Sequence, residues 1–109
     1  MKLIIAVVQD QDVQKANGAL ITAGFRSTRL ASSGGFLRSG STTMLVGVDD
    51  NQVDQAVGIL KSVCQSRTKM VTPMTPMAGS VESFIPFPVE VIVGGANMFI
   101  VNVERFERA

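Results

Sequence analysis

The residues with the clearest capacity for chemistry lie between positions 26 and 43, where arginines, glycines and an aromatic side chain are close together. Two β-compatible runs are joined there by residues 33–37, Ser-Gly-Gly-Phe-Leu, and a plain hairpin needs only two turn residues. Glycine lets a ligand approach the backbone closely, Phe36 offers a flat apolar surface, and Arg26 supplies positive charge. These are the components of a nucleotide or phosphate site. A flexible hairpin loop explains the same local residues about equally well.

The flanking strands add polar groups on one face. Arg26 and Thr28 alternate onto the same side of the second predicted strand, and Gly47 on the next strand leaves room opposite them. An arginine, a hydroxyl and a missing side chain form a suitable pocket floor for a phosphorylated ligand. Taken alone, a solvated strand face is the simpler interpretation of these three residues, and Phe99 taken alone is a core residue. The sequence contains no phosphate-loop or dinucleotide fingerprint, because the glycine pair joins two strands and opens no helix.

Composition argues against several classes of function. The 10 basic and 9 acidic residues give a net charge of +1, whereas a nucleic-acid polymer would require a clustered basic surface. Histidine is absent, and Cys64 is the single cysteine and falls on an apolar stripe. Zinc ligation and histidine-assisted catalysis therefore lack their usual residues, no acid–base carboxylate pair is evident, and we expect no enzyme activity. One cysteine and an N-terminal apolar run too short to span a membrane predict a cytoplasmic protein without membrane insertion.

The elements that would position these residues follow an α+β order. Leu3 to Val8 is a continuous apolar run typical of a strand covered on both faces. Strand-like runs predict further strands at 25–33, 41–48, 89–93 and 98–103, and helical spacing of apolar residues predicts helices at 13–21 and 53–64. Together these elements predict a single domain over residues 1–109. The last two strands form either a hairpin or one long strand with a glycine break. The order βαββαβ predicts the ferredoxin-like plan, with two helices on one face of an antiparallel sheet.

Residues 66–88 interrupt this order. Four prolines fall in or at the end of this segment, and a structureless loop of such length is usually functional or disordered. Met70, Met74 and Met77 suit a surface that packs against a protein partner, and a merely mobile loop is an equally good interpretation. Because the later strands carry apolar residues on both faces, we also expect a homo-oligomer to cover the second face of the sheet.

Three stretches together resemble a known family. They are residues 28–43, Thr-Arg-Leu-Ala-Ser-Ser-Gly-Gly-Phe-Leu-Arg-Ser-Gly-Ser-Thr-Thr, residues 85–91, Ile-Pro-Phe-Pro-Val-Glu-Val, and residues 93–96, Val-Gly-Gly-Ala. They are similar to those of the PII-like cyclic di-AMP receptor proteins, and the likeness covers essentially the whole chain. It implies a cytoplasmic homotrimer with a ferredoxin-like core that binds cyclic di-AMP at each subunit interface. Such receptors need no cofactor, reorder their loops on binding, and signal to a protein partner that the sequence does not identify.

The resemblance also implies which residues bind cyclic di-AMP. Arg26 and Thr28 would contact phosphate and adenine edges, and residues 35–37 would enclose one adenine. The full implied set is Arg26, Thr28, Gly35, Phe36, Leu37, Ser41, Gly47, Gly94 and Phe99. Ser41 stands where family members usually carry asparagine, so an adenine contact there would be weaker or mediated by water.

Two other functions compete with this interpretation. A PII-type sensor of ATP and a carboxylate metabolite carries its long loop between the second and third strands, whereas here the long insertion follows the second helix. An acylphosphatase-like hydrolase needs an arginine and an asparagine around a phosphate loop. The connection between the first strand and helix is not glycine-rich and contains no arginine, which disfavours the hydrolase.

Overall fold

The computed structural model describes residues 1–30, 40–71 and 88–109. In these ranges the elements follow the order β1 (Lys2–Gln9), α1 (Asp10–Thr22), β2 (Ser27–Leu30), β3 (Ser41–Val48), α2 (Val53–Val63), β4 (Arg67–Val71), β5 (Val89–Val93) and β6 (Ala96–Asn102). The main sheet has the strand order β2-β3-β1-β6, with every neighbouring pair antiparallel. This is the ferredoxin-like α+β fold predicted above, with β6 in the place of the final strand.

The core lies between one face of this sheet and the two helices. Every second residue of the central strand β1 is buried, and the strand register sets these residues beside buried residues of β3, as in the pairs Ile4↔Val46 and Ala6↔Met44. Each such side chain contributes about 1.5–3 kcal/mol when fully buried. The helices supply the other half of the core through Val13, Ala16, Leu20, Ala56 and Leu60. The helix-covered face of the sheet is therefore complete within one chain.

Both helix boundaries follow from local residue chemistry. Gly24 has a φ of +92°, and its N–H donates to the carbonyl of Ile21 at 2.9 Å, which ends α1 with a left-handed residue. Before α2, Asp49 and Gln52 form a reciprocal capping box around a short 3₁₀ turn. The predicted apolar stripe of α2 is confirmed, with Ala56 and Leu60 fully buried.

The prediction of a structureless loop at residues 66–88 is wrong at its start. β4 pairs antiparallel with β5 in a second, two-stranded sheet, which we call the ribbon. Residues 72–87 lie outside the described residues. The error arises because the hydrogen-bond partner of β4 comes about 20 residues later in the chain, and local composition does not reveal such a pairing.

The two predictions for the C-terminal strands are also wrong. β5 pairs with β4 in the ribbon, whereas β6 pairs with β1 in the main sheet, so the two strands form neither a hairpin nor one continuous strand. Gly94 and Gly95 lie between them with φ values of +83° and +85°. These left-handed conformations, which glycine adopts without steric cost, redirect the chain from one sheet to the other. The described part of β2 is also shorter than the predicted 25–33.

Candidate functional site

Within residues 1–30, 40–71 and 88–109, no helix packs on the second face of the main sheet, and we call this face the open face. Strand registers define it, because residues paired across strands point to the same side of the sheet. Its central row runs Thr28↔Leu45↔Ile5↔Phe99 across all four strands. The remaining described members are Leu3, Val7, Gln9, Leu30, Ser41, Thr43, Gly47, Asn97 and Val101.

Four of the six described site residues lie on this open face. Thr28 and Phe99 occupy the two ends of the central row, and Phe99 is 59% exposed. Ser41 begins β3 opposite Gln9, and Gly47 pairs with Leu3. The alternation argument for this surface is therefore confirmed as geometry. The ligand contacts themselves stay predictions.

Arg26 and Gly47 lie at one corner of the open face. Arg26 is exposed and precedes β2, and one further step of the register Ser27↔Val46 sets it opposite Gly47. A Cβ added to Gly47 would meet only the terminal methyl of Met1, at 3.6 Å. Packing within the described chain does not require glycine at this position. Among the described residues, only Met1 therefore approaches the position of a Gly47 Cβ beside Arg26.

Gly94 lies beyond the Gln9 end of the open face and is held there by contacts within the fold. Its N–H donates to the side-chain oxygen of Gln9 at 2.7 Å. An added Cβ would come closer than 3.0 Å to the carbonyl oxygen of Gln65 and to Nη1 of Arg67. Backbone conformation and close packing favour glycine here, and the predicted ligand contact of Gly94 stays a prediction. The remaining predicted residues, Gly35, Phe36 and Leu37, fall outside the described residues.

The junction between β1 and α1 contacts Gly40, which precedes β3, and Gly94, which follows β5. The N–H of Asp10 donates to the carbonyl of Gly40 at 2.8 Å, and the Thr42 hydroxyl donates to the Asp10 carboxylate. The preceding Gln9 accepts the hydrogen bond from Gly94 at the base of the ribbon. The consecutive residues Gln9 and Asp10 therefore hold the backbone at two places, Gly94 after β5 and Gly40 before β3.

A charged pair strengthens the same junction. Asp12 is only 3% exposed, and its two carboxylate oxygens accept from Nη2 and Nη1 of Arg67 at 2.8 and 3.3 Å. This hydrogen bonding raises the pKa of Arg67 above its ordinary value. The first turn of a helix also favours a carboxylate through the helix dipole. The sequence analysis missed the pair because its partners are 55 residues apart.

A cavity of about 360 Å³ lies at the base of the ribbon on the helix side of the sheet. Its lining residues are Lys61, Cys64, Gln65, Ser66, Gly95, Ala96 and Met98, which include none of the predicted site residues. Cys64 is 2% exposed, and burial raises the pKa of its thiol. A protonated, buried thiol is a poor nucleophile, in agreement with the predicted core role. The described residues contain no group of three potential metal ligands and no helix long and apolar enough to cross a membrane.

Comparison with known proteins decides the family. Residues 1–109 match the family model described as cyclic-di-AMP receptor. The chain belongs to the cyclic-di-AMP receptor family. A solved structure from Pediococcus pentosaceus ATCC 25745, described as a functionally unknown protein, is also similar to this receptor. That structure has a TM-score of 0.75 and 35% sequence identity, and the match covers 99% of this chain and 96% of the other.

Membership of this family identifies the ligand as cyclic di-AMP. The receptor is a cyclic di-AMP-binding protein, and its family is a receptor family and not a known family of enzymes. The fold is PII-like and ferredoxin-like, and most of the predicted site residues in the described ranges lie on its open face.

Proposed function

We propose that this receptor is a homotrimer that binds cyclic di-AMP on the open face, between neighbouring subunits. Binding would then reorder residues 33–41 and 66–88 and signal to a downstream protein partner. The observation that carries the proposal is the row Thr28↔Leu45↔Ile5↔Phe99, which has a predicted ligand residue at each end.

The length of this row favours a site shared between subunits. Three steps between neighbouring strands, at about 4.7–4.9 Å each, separate Thr28 from Phe99 by about 14 Å. This separation favours contacts of Thr28 and Phe99 with different adenines or from different chains. We propose a head-to-tail ring in which the β6 edge of one copy lies near the β2 edge of the next. Thr28 and Phe99 of different copies then contribute to one site.

Exposed apolar residues support a second copy of this chain as the occupant of the remaining open face. Leu30, Phe99 and Val101 are 43%, 59% and 42% exposed in one chain. Apart from Arg26 at its corner, the described open-face residues are not ionisable, so two copies can meet there without burying a charge. Burying these side chains removes apolar surface from water, which drives the association.

The chemistry of the open face suits the two halves of the ligand. Arg26 at one corner provides a guanidinium that can form two parallel hydrogen bonds with a phosphate. The apolar rows beside it provide surfaces for the adenines, and stacking on an aromatic ring such as Phe99 contributes about 1–3 kcal/mol per base.

The contacts of Gln9 and Asp10 supply a route between the two loop segments. A ligand that reorders residues 33–41 also acts on Gly40, which contacts Asp10, while the adjacent Gln9 contacts Gly94. Ligand shifts this equilibrium only by the difference in its contacts with the two loop arrangements. We therefore expect hydrogen exchange to slow in both segments at saturating cyclic di-AMP. Unchanged exchange in both would contradict loop reordering.

Calorimetric titration with cyclic di-AMP, cyclic di-GMP and ATP tests the binding function. We expect cyclic di-AMP to bind most tightly, with one ligand per chain, and Arg26→Ala to weaken it at least about tenfold, as loss of a charge-assisted hydrogen bond implies. Lys15→Ala, which removes a positive charge from exposed α1, is the matched control and should bind normally. Equal affinity for all three nucleotides, or no loss in Arg26→Ala, would overturn the site.

Light scattering on the same samples tests the assembly. The expected mass is three times that of one chain, with and without ligand. A monomer that binds cyclic di-AMP with full affinity would contradict the intersubunit site and leave the receptor function intact.

A further inference from the structure

Thr43 has an unexplained polar group on the open face. The residue is only 5% exposed, and its hydroxyl oxygen has no hydrogen-bond partner among the described residues. A buried hydroxyl without a partner is costly, and such groups in folded proteins usually have a specific reason. The other buried polar residue, Asp12, is paired with Arg67. Within the described chain, Thr43 therefore stands out as a donor and acceptor whose partner is missing.

The position of Thr43 connects it to the proposed ligand site. It pairs with Leu30 on β2 and with Val7 on β1, one step of the open face beyond the row that contains Thr28. The next open-face residue along β3 is Ser41, at two residues' distance. The hydroxyl thus lies inside the area outlined by the predicted ligand residues.

The surroundings of Thr43 select the part of the ligand that it would meet. Its cross-strand neighbours Leu30 and Val7 are apolar, and Leu45 is the next open-face residue on its own strand. A phosphate would lose hydration on such a surface without gaining a charge partner. An adenine ring buries apolar area there and directs its polar edge toward the hydroxyl.

We propose that Thr43 is a further ligand residue, whose hydroxyl forms a hydrogen bond with an adenine edge of bound cyclic di-AMP. The inference rests on the proposed function of the open face. Ligand reaches the hydroxyl when a covering side chain turns away, and Leu30, 43% exposed at the end of β2, has room to do so. Without ligand, the Thr43 hydroxyl has no hydrogen-bond partner among the described residues, and the bound adenine supplies one.

Thr43→Val tests this role because valine keeps the shape and removes only the hydroxyl. We expect the variant to bind cyclic di-AMP about 3- to 10-fold more weakly, the loss of one neutral hydrogen bond. Its ligand-free melting temperature should equal or exceed that of the wild type, since the methyl group replaces an unpaired hydroxyl. Thr43→Ser keeps the hydroxyl and should bind more tightly than Thr43→Val. Thr22→Val, which removes a hydroxyl that donates to Gly18 in α1, should leave binding unchanged.

The outcomes separate this inference from the proposed function. If the wild type does not bind cyclic di-AMP, the proposed function fails, and the inference fails with it. If the wild type binds and Thr43→Val binds equally well, only the role of Thr43 is overturned. A lowered melting temperature or trimer mass in Thr43→Val would also overturn it, because the hydroxyl would then serve the free protein. Equal weakening in Thr43→Ser and Thr43→Val would do the same.

Discussion

Substitution of Gly94 by alanine provides a quantitative test of how the ribbon is attached to the main sheet. Gly94 has a φ of +83°, a left-handed conformation that costs an L-amino acid about 1–2 kcal/mol. The new Cβ would also lie closer than 3.0 Å to the Gln65 carbonyl oxygen and to Nη1 of Arg67. Overpacking of this kind costs about 1–3 kcal/mol more. We therefore expect Gly94→Ala to lower the free energy of unfolding by about 2–5 kcal/mol.

The adjacent glycine supplies the matched control. Gly95 has almost the same φ, +85°, and a Cβ there would meet only the Cβ of Ser66, at 3.9 Å. Gly95→Ala should therefore show the conformational cost alone, about 1–2 kcal/mol. Urea unfolding at one fixed protein concentration measures both variants, because the stability of an oligomer depends on concentration.

The difference between the two variants carries the test. Gly94→Ala should exceed Gly95→Ala by the packing cost, and hydrogen exchange should increase in β4, since the displaced Arg67 guanidinium loses its contact with Asp12. Equal losses in the two variants would refute the close packing of Gly94 against Gln65 and Arg67. A Gly94→Ala variant of wild-type stability that no longer binds cyclic di-AMP would assign this glycine to the ligand.

Three further predictions follow from other parts of the structure. Gly47→Ala should change the free energy of unfolding by less than about 0.5 kcal/mol, because among the described residues the new methyl group meets only Met1. The same methyl group occupies the proposed ligand space, so calorimetry should show cyclic di-AMP binding weakened at least about tenfold. Asp12→Asn should lower the free energy of unfolding in urea by about 1–2 kcal/mol. This loss is smaller than for a fully buried ion pair because the Arg67 side chain is 45% exposed. The control Asp54→Asn, at an exposed position, should show little change. Burial raises the pKa of Cys64 above its ordinary 9.0, so the folded protein binds the thiol proton more tightly than the unfolded chain. Stability should fall as the pH rises above about 9, and Cys64→Ala should remove this part of the alkaline loss.

The ferredoxin-like plan could be predicted from the sequence because its signals are local. The period of α2, the capping residues Asp49 and Gln52, and the left-handed Gly24 each depend on neighbours within a few residues. Strand alternation likewise places Thr28 on its face without knowledge of its partners. Tertiary packing agrees with these local signals, because the apolar stripe of an amphipathic helix is the face that packs against the core.

The ribbon and its attachment depend on distant pairs that the sequence does not mark. β4 is recognised as a strand only through β5, and Asp12 is a buried ion-pair partner only because Arg67 reaches it across 55 residues. The close packing of Gly94 against Gln65 and Arg67 likewise depends on residues far along the chain, so local sequence does not reveal it. The burial of Thr43 is equally hidden in the sequence, since a threonine in a strand indicates burial only when its cross-strand neighbours are known.

A crystal structure of the receptor bound to cyclic di-AMP tests the central claim most directly. We predict ligand density on the open face, with phosphate near Arg26, an adenine over the surface beside Gly47, and Phe99 contributed by a neighbouring copy. Ligand density in the cavity beside Cys64, on the helix side of the sheet, would contradict the account.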